Sequence, residues 1–193
     1  MPPQNTQTAQ VLDEGEAKDF LEPGERAITV IHRHSIGLII IYLEALIGII
    51  ALAALIAFVA PDSLRNLSAE ANRLLIAGVI FAVAILTLFL FVATYVYRQS
   101  KLIIADKSLV QILQKSLFYR DVSRLSYSNV EDVTAQQRGI LSTMFNFGNL
   151  EVQTAGEMDN FFFPSCPDPN RYAHIILEAR QQYAISLEEQ DKK

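Results

Sequence analysis

The sequence predicts a membrane α-hairpin joined to an α+β domain, and three observations predict it. Two long runs, Ile36 to Ala60 and Leu74 to Tyr97, are apolar almost throughout. From Arg98 the pattern breaks into short apolar runs between polar turns, the pattern of half-buried strands. After Pro169 apolar residues recur at three- and four-residue spacing, as along one face of a helix. Of the 193 residues, 51% are hydrophobic and 19% charged, a mixture that fits one portion in lipid and another in water.

Ile36 to Ala60 holds 25 residues and a single charge, Glu44; Leu74 to Tyr97 holds 24 and none. At a rise of 1.5 Å per residue the first run reaches about 37 Å, enough to cross about 30 Å of hydrocarbon with some tilt. The link between them, residues 61–73, is short and polar, so the two helices must be antiparallel neighbours. Seven basic residues flank the spans on the outer sides (Lys18, Arg26, Arg33, Arg98, Lys101, Lys107 and Lys115) against two in the link, Arg65 and Arg73. The positive-inside rule then places both termini in the cytoplasm and the chain in the cell membrane as a multi-pass protein. Tyr95 and Tyr97 fall where an interfacial aromatic belt would lie.

The segments around the spans follow. Residues 1–22 are polar and acidic, have no signal-peptide pattern, and are expected to be a disordered tail. Residues 23–35 read as a juxtamembrane segment, 98–187 as the cytoplasmic domain and 188–193 as a tail.

Glu44 is the one ionisable residue in the spans, about 12 Å inside the first helix. Acids at such depth are costly. Its expected roles are a hydrogen bond to a threonine between Thr87 and Thr94, snorkelling to the interface, an oligomer contact, or a place in an ion pathway.

Within the domain, Leu102 to Ile104 and Leu109 to Leu113 read as a hairpin around Asp106 and Lys107. Val122, Leu125 and Tyr127 mark a third strand, and Val130 and Val133 a fourth. Gly148 to Thr154 marks another, and Phe161 to Phe163 one more, stopped by Pro164. From Pro169 to about Glu189 a helix is expected, with Tyr172, Ile175, Ile176, Ala179 and Tyr183 on its apolar face. Asp168 and Pro169 suit its start. Strands followed by one amphipathic helix imply a small barrel or sandwich closed by that helix.

Three stretches resemble the bacterial pleckstrin-homology-like (PH-like) domain attached to membrane helices. They are Ser100 to Val110, Asn129 to Val133, and Phe147 to Gly156, the last similar to the family's GxGxLxxxTAG stretch through Gly148, Leu150, Thr154 and Gly156. Pro23-Gly24-Glu25, Arg33 and His34 also resemble the family. Lys115 to Phe118 departs from it, since members often have a glycine in that turn. The resemblance implies two N-terminal transmembrane helices and a PH-like β-sandwich of about seven strands capped by a C-terminal helix. It implies little about activity, because one fold hosts many functions.

The sequence excludes several chemistries. A net charge of −5 argues against nucleic acid as a partner. Cys166 stands alone, without a CxxC or a nearby His, so neither a disulfide nor a thiolate metal site is expected. Gly148 and Gly156 flank a strand and precede no helix, which is not the order of a phosphate-binding loop. His32 and His34 would share a face of a strand, but nothing completes a metal site. No paired carboxylates or nucleophile-base set stands out, so neither an enzyme nor a cofactor is expected.

Charge is more informative. Arg98 to Arg124 holds six basic residues against two acidic ones, while Leu125 to Lys193 holds five against ten. Arg98, Lys101, Lys107, Lys115, Arg120 and Arg124 are therefore the candidates for contact with anionic lipid. The expected function is a membrane-anchored interaction module, binding a peptide, a protein or lipid headgroups, with the bilayer and another protein or itself as partners. The alternative is an oligomeric transport or channel component with Glu44 in the membrane, for which a polar stripe along both spans is missing.

Overall fold

The two apolar runs are helices. Helix α1 spans Ile36–Val59 and helix α2 spans Ala69–Gln99. In this computed structural model, which describes Gly15 and residues 17–59, 68–155 and 160–191, the chain divides into a helical unit, Ser35–Tyr97, and a second unit built from the residues on either side of it. Both helices are long and apolar enough to cross a membrane. Helix α2 begins five residues before the expected Leu74 because Ser68 caps it: its Oγ accepts the Ala71 N–H at 3.2 Å, and its carbonyl accepts the Asn72 N–H at 2.9 Å. Expectations for residues 60–67 lie outside the described residues. Large apolar side chains such as Phe81, Phe89 and Phe91 stand exposed along α2. Exposed apolar surface of that extent is the kind that a protein partner or a membrane covers.

Within the helical unit, Tyr42 Oη and Thr94 Oγ1 lie 2.9 Å apart and join the two helices. The Tyr97 ring lies where a Cβ on Gly37 would be, so a side chain at position 37 would require the Tyr97 ring to shift. The Thr94 hydroxyl also donates to the Leu90 carbonyl at 2.7 Å, and Thr87 donates to Val83 at 2.8 Å. Both threonines thus bond to their own helix, the usual outcome for mid-helix hydroxyls. Glu44 is exposed on α1.

The second unit holds seven strands in two antiparallel sheets. The first sheet is β1 (Ala27–His32), β2 (Lys101–Ala105), β3 (Ser108–Gln114) and β4 (Arg120–Ser126), in that order. The second is β5 (Val130–Gln136), β6 (Phe147–Thr154) and β7 (Phe161–Pro167). A short helix α3 (Ile140–Met144) joins β5 to β6, and helix α4 (Pro169–Asp191) ends the fold.

Three expectations change. The segment 23–35 is not merely juxtamembrane: it carries β1, which pairs antiparallel with β2, His32 opposite Lys101 and Val30 opposite Ile103. The folded unit therefore does not begin at Arg98; the helical hairpin interrupts it between two neighbouring strands. The last strand does not stop at Pro164 but runs to Pro167, because β7 is an edge strand and a proline there forfeits no ladder bond. Helix α4 continues past 187 to Asp191, so the expected tail is largely helical.

Alternation along the strands divides the apolar residues between two cores. Ile31, Leu102, Ile104, Leu109 and Leu125 face inward with Leu150, Val152 and Phe163 of the second sheet. Helix α4 closes this core with Ala173, Ile176 and Ala179, and Tyr172, Ile175 and Tyr183 pack at its margin. Tyr127 is buried there, its hydroxyl donating to the Ala105 carbonyl at 2.7 Å. Val30, Ile103, Val110 and Ile112 face the other way and are covered by Ala17, Phe20 and Leu21, around a 3-10 turn at Lys18–Phe20.

Candidate functional site

The six candidate cations do not form one free basic face. Arg124, on β4, turns to the segment before β1. Its Nη1 lies 2.8 Å from Glu25 Oε2 and 3.4 Å from Glu22 Oε1, and its Nη2 donates to the Phe20 carbonyl. Lys115 pairs with Asp121 at 2.5 Å and lies over the Tyr119 ring, which holds its pKa above the ordinary lysine value through the hydrogen bond to Asp121 and the charge beside it. Arg120 donates from Nε to Gln114 Oε1 at 3.0 Å. Lys101 sits over the Phe20 ring, 5.5 Å from its centroid. Lys107 stands exposed in the β2–β3 turn, and Arg98 lies exposed in the last turn of α2. Glu22, Glu25 and Arg26 join the same surface from outside the counted stretch, so its excess of four positive charges falls to three.

Glu25 is the centre of this network. Its side chain is only 2% exposed. Ser108 Oγ donates to its Oε1 at 2.5 Å, and the Glu22 N–H donates to its Oε2 at 3.1 Å. Burial works to raise its pKa, but the bonds from Ser108, Glu22 and Arg124 together outweigh it and leave the carboxyl below the ordinary glutamate range. The role is structural: the network pins the segment that covers the outer core.

Three of the four family-motif residues, Gly148, Leu150 and Thr154, lie on β6. A Cβ on Gly148 would come within 2.3 Å of the Gln136 carbonyl on the neighbouring strand. The pairing of β6 with β7 shifts register between Gly148 and Leu150, a bulge of the kind glycine permits. Leu150 is fully buried, Thr154 is buried, and the Thr154 N–H donates to Asn160 Oδ1 at 3.3 Å. Gly156 lies outside the described residues.

His32 and His34 do not act together. The strand ends at His32, which is exposed, whereas the His34 ring stacks on Phe147 with centroids 5.5 Å apart. Among the described residues no three His, Cys, Asp or Glu side chains gather as a metal site requires. Cys166 is fully buried, and burial, with the Asp168 charge, pushes its thiol up to about 12, away from nucleophilic use.

What the sequence reading missed is apolar. The β3–β4 turn projects Leu117, Phe118 and Tyr119 into the open, with Phe118 98% exposed. Helix α3 likewise exposes Ile140, Leu141, Met144 and Phe145, with Ile140 85% exposed. The signal was the departure at Lys115 to Phe118: bulky apolar residues stand where a turn ordinarily takes glycine and polar residues.

No curated protein and no solved structure matches the chain. A family model described as bacterial PH domain matches residues 30–180, from β1 through both apolar helices and both sheets into α4. On that match, and on two antiparallel sheets closed by a C-terminal helix, the chain belongs to the bacterial PH domain family.

Proposed function

We propose that the chain is a non-enzymatic, membrane-anchored interaction module that binds a protein, a peptide or lipid headgroups at the inner face of the cell membrane. One observation carries the reading. The apolar hairpin enters between β1 and β2, two paired strands of one sheet, with only residues 33–35 on one side and Ser100 on the other between helix and strand. A unit tethered twice, through links that short, stays at the surface of whatever its helices occupy. Helices of this length and apolarity fit a bilayer. The excess of basic residues outside the hairpin link supports a cytoplasmic location for both termini. The alternative of a channel component with Glu44 in the pore has less support, because Tyr42, Thr87 and Thr94, three other polar groups on the hairpin, bond within the helix pair.

The test is thiol labelling in intact cells, with Cys166→Ala removing the native thiol. An impermeant reagent should label Ser63→Cys and leave Ser186→Cys unlabelled until the cells are opened. Labelling of Ser186→Cys alone inverts the topology, and labelling of both in intact cells removes the cytoplasmic placement.

A further inference from the structure

We propose that the β-unit inserts two apolar prongs, the β3–β4 turn and helix α3, into the lipid interface; this rests on the membrane reading above.

The first prong is Leu117, Phe118 and Tyr119. An exposed phenylalanine at the end of a slack loop would mean little, but this turn is held. The Lys115 and Ser116 N–H groups both donate to the Tyr119 carbonyl, at 2.9 and 3.2 Å. Gln114 Nε2 donates to the Ser116 carbonyl at 2.7 Å while its Oε1 accepts from Arg120. The backbone is thus fixed in a shape that holds Phe118 out. The second prong is α3, where Ile140 and Met144 stand four residues apart and share one exposed face. Ser142 faces inward, its Oγ donating to the Arg138 carbonyl at 2.8 Å. Burying large apolar side chains of this kind is favourable, a gain that exposure to water withholds.

Strand register puts both prongs at one end of the unit, the end with the two chain junctions. Ser100, two residues past Arg98, accepts the Gln114 N–H on its Oγ at 3.2 Å, and the first prong starts three residues after Gln114. At the other junction, the His34 N–H donates to the Ser165 carbonyl at 2.6 Å, and its ring stacks on Phe147, three residues past α3. The opposite end is different in kind. Its described turns carry Asp106, Lys107, Ser126, Ser128 and Asn129, with Tyr127 buried.

The charges sort the same way. Arg98, Lys101, Lys115 and Arg120 lie at the junction end, beside the prongs, whereas Lys107 lies at the far turn and Arg124 is held by Glu25. Apolar tips at one end, the first flanked by Arg120 and by Lys115 with its partner Asp121 and the second preceded by Arg138, fit a flat anionic bilayer whose headgroups lie above its acyl chains. The reading reassigns the candidate cations from one electrostatic patch to the neighbours of an apolar insertion.

The chain has no tryptophan, so one introduced residue is the sole indole probe. Full chains carrying Phe118→Trp, Ile140→Trp, Lys107→Trp or Phe89→Trp are reconstituted into mixed zwitterionic and anionic vesicles in which one lipid is brominated on its acyl chains. Emission from positions 118 and 140 should shift to the blue and be quenched by the bromolipid severalfold more than emission from position 107. If position 89 is quenched while 118 and 140 behave like 107, the inference is overturned and the membrane reading stands. If position 89 is not quenched either, the membrane reading falls and takes the inference with it. If 118 and 140 are shielded from aqueous acrylamide yet not quenched by bromolipid, a protein surface covers them, and the lipid assignment is wrong.

Discussion

The Arg124 guanidinium meets the Glu25 carboxylate at 2.8 Å across 99 residues of chain, and this pair fastens the segment before β1 to the far strand of its sheet. A second acceptor, the Phe20 carbonyl, takes the other nitrogen of the same guanidinium. The pair thus spans the whole four-stranded sheet from outside and holds the cover of the outer core in place.

A pH dependence follows from the lowered carboxyl of Glu25. A carboxyl whose folded pKa lies below its unfolded value stabilises the fold above that value and loses the contribution as pH falls through the folded one. The contribution should therefore be complete above about 4.5, the ordinary glutamate value, and disappear as the solution is acidified below it. Arg124 is partly exposed, so screening reduces the effect to about 1 kcal/mol. The protection of the β1 and β3 amides against hydrogen exchange in the full chain, relative to the intrinsic rate at each pH, should fall below this pH. In Glu25→Gln the lower protection should already be present at neutral pH, and acid should reduce it less.

Helix α4 offers a sharper contrast. Ile176 is fully buried in the main core, whereas Gln181 and Glu178 are exposed. Ile176→Ala should leave a cavity and cost about 2–5 kcal/mol. Ile176→Asp should cost more, because it buries an unpaired charge. Gln181→Ala should stay within about 0.5 kcal/mol of the native chain. Urea titration followed by exchange of the β6 amides separates these outcomes, and equal midpoints for Ile176→Ala and Gln181→Ala would show that the helix is not docked.

That stripe was legible because a helix writes its buried face locally, every three or four residues. The two apolar helices were legible for a similar reason, since length and uniform apolarity are local properties. Strand β1 was not. Ala27 to His32 is short, directly precedes a long apolar run, and finds its partner only beyond the whole hairpin. The tie between Glu25 and Arg124 was hidden by the same separation, so Arg124 read as a free cation. The prongs were half legible: the turn at Lys115 to Phe118 was visibly unusual, but only the packing reveals that its apolar residues stay outside.

Gly148 tests the crossing of β5 and β6. A methyl group there would lie 2.3 Å from the Gln136 carbonyl, a backbone atom that cannot rotate away. Gly148→Ala should force the two strands apart and destabilise the second sheet by about 1–3 kcal/mol, as overpacking does. Faster exchange along β5 and β6, with the first sheet little changed, is the expected pattern. An unchanged pattern would mean that the strands have room to separate without cost.

The last prediction concerns where the folded unit begins. A polypeptide starting at Arg98 contains six of the seven strands and all of α4, yet it lacks Ile31 from the main core and Val30, Phe20 and Leu21 from the outer one. It also leaves β2 as a bare edge of buried apolar residues and removes Glu25 from beside Arg124. An unpaired apolar edge invites aggregation, and losing the buried Val30 and Ile31 side chains, at about 2–5 kcal/mol each, removes much of the total stability of a small domain, about 5–15 kcal/mol. Residues 98–191 alone should therefore aggregate or give a collapsed spectrum without sharp amide signals. Residues 15–34 joined by a short glycine linker to 98–191 should give dispersed amide resonances and a single cooperative transition, because His32 and Lys101 are already opposite one another in the sheet. Cooperative unfolding of residues 98–191 by themselves would show that β1 is an accessory to the domain and not its first strand.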